Sequence, residues 1–82
     1  MNTTYTVKLR TDTFGKAALL AGFGSDYRTA AAMGVNRSTL SRVLSGELQP
    51  GATFIAGALI ALKPMAFEDL FEVVPNADRT PE

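Results

Sequence analysis

Neither cysteine nor histidine occurs in the 82 residues, and the two absences remove most of the usual equipment of catalysis and metal binding. Without cysteine there is no disulfide framework and no thiolate; without histidine the commonest general base and the commonest metal ligand are missing together. Serine, aspartate, glutamate and lysine remain, yet nothing in their spacing sets a base beside a nucleophile. The expectation is a protein that is not an enzyme, with no catalytic residue, no metal and no cofactor. Long apolar runs are also lacking. The longest, residues 54–62, is about half of the ~20 residues a membrane span requires. The N-terminus does not show the charged-then-apolar layout of a signal peptide, so the expected location is cytoplasmic, in a bacterium or a phage-infected host cell, with no membrane partner. Gly15, Gly22 and Gly24 lie close together, but neither phosphate-cradling glycine pattern is present, and helix termination explains them better.

Net charge is missing as well: eight Lys and Arg balance eight Asp and Glu. The balance conceals a split. Residues 1–46 hold six cations (Lys8, Arg10, Lys16, Arg28, Arg37, Arg42) against Asp12 and Asp26, a net +4, whereas residues 47–82 hold two cations against six carboxylates, a net −4. A molecule polarised in this way is steered by a polyanion so that its positive side lands first; chance scatter of surface charge is the plain alternative. One domain is all that the length allows, sized for a five-helix bundle.

The most informative stretch is residues 25–46, SDYRTAAAMGVNRSTLSRVLSG. Ser25 is placed to cap a helix that opens on Asp26 and runs through an alanine-rich segment to Met33. Gly34 supplies the freedom a sharp turn needs, Val35 plugs the angle, and Asn36 is placed to cap a second helix from Arg37 to about Ser45, stopped by Gly46. Leu40, Val43 and Leu44 give that second helix an apolar face, with Arg37, Ser38, Ser41, Arg42 and Ser45 largely elsewhere. Ala30 is the small residue where two steeply crossing helices touch.

These residues, and the string GVNRSTLSRVLSG in particular, resemble the helix-turn-helix of the Cro and phage-repressor superfamily, also called the xenobiotic-response-element family. PGATFIAGALIAL and FEDLF are similar to that family's fourth and fifth helices, so the likeness covers roughly residues 12–72. Two positions depart from the family: Thr29 stands where leucine is usual, and Glu47-Leu48-Gln49 stands where a basic residue is common. The resemblance implies a mainly α, five-helix lambda-repressor-like DNA-binding domain over residues 1–74. It implies a sequence-specific transcriptional regulator, binding double-stranded DNA as a homodimer on an inverted repeat and repressing by occluding a promoter. In the family, residues matching Arg37, Ser38 and Arg42 commonly reach base edges, and those matching Ser25 and Asn36 commonly lie near phosphates.

The chemistry of the side chains agrees with those roles. Arg37 and Arg42 can each pair with the O6 and N7 of guanine. Ser38 and Ser41 are less selective readers, and Thr39 offers a methyl group to thymine or a hydroxyl to phosphate. Backbone N–H groups with Ser25 or Asn36 can fix register on phosphates, and Arg28 adds a phosphate candidate. Arg42 has a competing role as a surface ion pair with Glu47. The rival function is a protein–protein interaction module that keeps the fold. No effector domain is visible, so no small-molecule effector is expected.

Elsewhere, alternation over residues 4–10 predicts a strand with Tyr5, Val7 and Leu9 on one face. It pairs either with residues 71–74 of the same chain, the favoured arrangement, or with its copy in a second subunit. Lys8 and Arg10 read as solvated charges on this strand. Asp12 or Thr13 caps a first helix over residues 13–21, with Phe14, Ala17, Ala18 and Ala21 inward. A fourth helix spans residues 52–62, with Phe54, Ile55, Ala58, Leu59 and Leu62 at helical spacing to back the recognition pair from inside the core. Phe54 and Ile60 widen its apolar face, and contact of that part with a second subunit is the alternative to core packing. A fifth spans residues 66–71, and residues 75–82 form a disordered tail.

Overall fold

Alternation at the N-terminus becomes a strand and helical spacing beyond it becomes helices in the computed structural model, which describes residues 4–76. Along the chain run β1 (Tyr5–Leu9), α1 (Thr11–Leu20), α2 (Asp26–Met33), α3 (Arg37–Leu44), α4 (Ala52–Ala61), α5 (Phe67–Leu70) and β2 (Phe71–Pro75). Among the described residues the architecture is mainly α, with five helices and one two-stranded antiparallel sheet.

β1 and β2 pair within the chain, with Leu9 opposite Phe71, Val7 opposite Val73 and Tyr5 opposite Pro75. Leu9 and Phe71 are buried at the inner end, but Tyr5 is 64% exposed and Val73 60% exposed. The apolar strand face is therefore covered only where the ribbon meets the helices. Bonds beyond the strands extend the ladder, from the Arg10 N–H to the Leu70 carbonyl (2.8 Å) and from the Asn76 N–H to the Thr4 carbonyl (2.9 Å). Pro75 and Asn76 thus belong to the ordered ribbon and not to a tail; the remainder of the expected tail lies outside the described residues.

Because Arg10 is still held by the ladder, the chain passes directly from strand to helix. α1 starts at Thr11, with Arg10 in the N-cap position, and the expected caps Asp12 and Thr13 fall inside it. Phe14, Ala17 and Ala18 are buried as expected, whereas Ala21, past the helix end, is exposed. Phe71 was expected to end the last helix; its backbone is extended (φ −134°, ψ 159°) because it pairs with Leu9.

Four phenylalanines link the layers. Phe54 of α4 lies 6.2 Å from Phe14 of α1 and 6.4 Å, edge-on, from Phe71, which stacks on Phe67 at 5.2 Å. Such pairs add directional attraction to area burial. Phe54 is consequently a core residue, as the core reading of α4 expected, whereas Ile60, on the part of the face also open to a second subunit, is exposed. Gly57 of α4 meets the end of α2 so closely that a Cβ there would overlap the Met33 carbonyl oxygen. Among the described residues no helix is long and apolar enough to cross a membrane.

Candidate nucleic-acid interface

α2 begins on Ser25, whose backbone is extended and whose Oγ accepts the Arg28 N–H at 3.2 Å. Accepting that bond leaves the hydroxyl hydrogen free to donate. Thr29, the departure from the family's leucine, is buried, and its hydroxyl donates to the Ser25 carbonyl at 2.9 Å. A polar side chain is tolerated there because its one hydroxyl is satisfied within the helix's own first turn.

The turn closes through Gly34, at φ 77°. The Gly34 N–H donates to the Ala31 carbonyl (3.2 Å) and the Val35 N–H to the Ala30 carbonyl (3.0 Å), the paired bonds of a Schellman ending. A side chain at this φ is strained, so glycine is required by conformation. Val35 is half-buried against the core, and Ala30, Leu40 and Val43 are buried. α3 ends in the same way at Gly46, φ 85°, where the Arg42 carbonyl accepts both the Glu47 N–H (2.9 Å) and the Leu48 N–H (3.0 Å). Backbone bonds thereby fix the end of α2 that leads into α3 and the C-terminal end of α3 itself.

With Leu40 and Val43 inward, helical geometry puts Ser38, Ser41, Arg42 and Ser45 on the opposite face, with Arg37 at its edge; all five are exposed. No apolar side chain interrupts that surface. Thr39 departs from the group. It is half-buried and lines a cleft of about 430 Å³ with Asn36, Gly51 and Thr53, on the flank of α3. Asn36 has the extended N-cap backbone, but its side chain makes no capping bond. The first turn of α3 is open to solvent, so water can satisfy the N–H groups that the expected cap would have held.

The charges sort differently from the sequence halves. Arg10 reaches Glu72 at 3.1 Å and the Glu68 carbonyl at 3.2 Å, which ties it to the acidic end of the molecule. Arg42 stands 3.5 Å from Glu47 in a pair whose side chains are 56% and 62% exposed, a geometry that contributes little to stability and exchanges readily. Each ion pair among the described residues joins a cation of residues 1–46 to a carboxylate of residues 47–82, so the division by sequence is not a clean division in space. Arg28 and Arg37 are exposed and make no ion pair among the described residues.

Two features were not singled out from sequence. Tyr27, on the first turn of α2 beside Arg28, is 69% exposed, against the usual expectation that an aromatic ring is covered. Gln49 accepts the Thr6 hydroxyl at 2.7 Å across a separation of 43 residues, a contact for which local spacing carries no signal. No protein-family model, curated protein or solved structure matches the chain.

Proposed function

We propose that the chain is a sequence-specific regulator of transcription of the Cro and phage-repressor type, with a lambda-repressor-like arrangement of its five helices. It binds duplex DNA as a homodimer and represses by occupying a promoter. One observation carries the reading: α3 offers solvent a face of arginine and serine alone, while Leu40 and Val43 lock its other face into the core. A helix of this kind fits the major groove, and its N-terminal residues then meet base edges. Arg37 and Arg42 read guanine, Ser38 and Ser41 assist, and Thr39, on the flank, is assigned a weaker contact. Ser25, Asn36 and Arg28 hold phosphates. Dimerisation follows from need, since one helix reads too few base pairs to bind tightly alone.

Arg28→Ala tests the phosphate assignment. It is expected to weaken binding by a similar factor on every duplex and to reduce the slope of log affinity against log salt by about 1. Fluorescence anisotropy on labelled duplexes at several salt concentrations measures both. An effect confined to one DNA sequence would make Arg28 a base reader, and a wild-type protein with no affinity for duplex DNA would refute the function.

A further inference from the structure

A concavity lies behind the reading helix. A groove of about 550 Å³ runs between the ribbon and the segment joining α3 to α4, within the range of small-ligand sites. Its walls are largely apolar: Val7 and Val74 from the ribbon, Leu44 from the last turn of α3, and Leu48 beyond it. Leu48 remains 38% exposed, so this apolar surface faces water.

Among the described residues one cation stands at the groove. Lys8 lines it, and strand alternation puts Lys8 on the same face as Thr6, whose hydroxyl bridges the groove to Gln49. The residue opposite Lys8 is Glu72, but that carboxylate is engaged by Arg10 at 3.1 Å. Lys8 makes no ion pair among the described residues.

We propose that this groove is a small-molecule site for a free monocarboxylate with an apolar body, such as a medium-chain or aromatic acid. The apolar walls take the body and the Lys8 ammonium takes the carboxylate. This site lies within the folded domain itself. It stands independently of the DNA reading, since its test contains no DNA.

Octanoate and octanol, matched in length and differing in charge, are the probes, followed by heteronuclear NMR titration. Octanoate is expected to saturate with Kd of about 1 mM or tighter, shifting the resonances of Val7, Leu44, Leu48 and Val74. Lys8→Met is expected to weaken octanoate about fivefold, the upper end for one exposed ion pair, without moving octanol, and Lys8→Arg is expected to restore it. Three results would overturn the site: no saturation, equal affinity for octanoate and octanol, or shifts centred instead on the exposed Leu19, Leu20 and Ile60.

Discussion

Replacing Arg37 with alanine is expected to lower affinity for the preferred duplex by roughly fivefold to 150-fold, the 1–3 kcal/mol of discrimination that a bidentate arginine–guanine pair supplies. Affinity for unrelated duplexes should fall far less, because there the guanidinium meets only phosphate. Arg37 is exposed and makes no ion pair among the described residues, so its removal should leave thermal stability unchanged and the loss can be assigned to the interface. Arg42→Ala belongs to the same experiment. Its Nε must first leave Glu47, 3.5 Å away, but an exposed pair holds it weakly, and a comparable loss of discrimination is expected. Equal losses on all sequences would make both arginines phosphate contacts and deny them a reading role.

Gly57→Ala is the substitution expected to damage the fold most. In an open helix the change would stabilise by about 1 kcal/mol. Here the added Cβ would overlap the Met33 carbonyl oxygen and lie 3.1 Å from the Met33 Cβ. Backbone cannot rotate away as a side chain tip can, so α4 must separate from α2, and the turn at Gly34 moves with it. A net loss of about 2 kcal/mol is expected from overpacking of this kind, seen as a fall in Tm of roughly 10–15 °C for a domain of this size. Gly15→Ala is the control, since a Cβ on that helical residue meets nothing within 4 Å, and it should be neutral or stabilising. Equal Tm values for wild type and Gly57→Ala would mean that the two helices do not meet at this glycine.

The parts legible in the sequence are those decided locally. α2 has the expected bounds, Asp26–Met33, because a capping serine and a left-handed glycine act within a turn of the residues they limit. The strand at Tyr5–Leu9 was readable from alternation, and its partner from being the one other β-like run. What was not legible depends on distant residues. α1 starts early because the Leu70 carbonyl holds Arg10; Phe71 leaves its helix because Leu9 faces it. Tyr5 lies on the apolar strand face yet stays exposed because the helices do not extend beneath it. At the candidate interface, the outward set of Ser38, Ser41 and Arg42 follows from helical period, with Arg37 at its edge. The half-burial of Thr39 required knowing that Thr53 and Phe54 of α4 share its cleft, and nothing in the local sequence marks the side chain of Asn36 as idle.

The central claim is that α3 reads base sequence, and selection of bound sites from a random duplex pool, with the winner's affinity then measured across salt concentrations, tests it most directly. The expected outcome is an enriched inverted repeat whose half-sites contain guanine, with half-site centres about one helical turn or a multiple of it apart, bound with a salt dependence that counts the phosphate contacts. Recovery of no preferred sequence, with binding lost at moderate salt, would contradict it and turn attention to protein partners for the same polar helix.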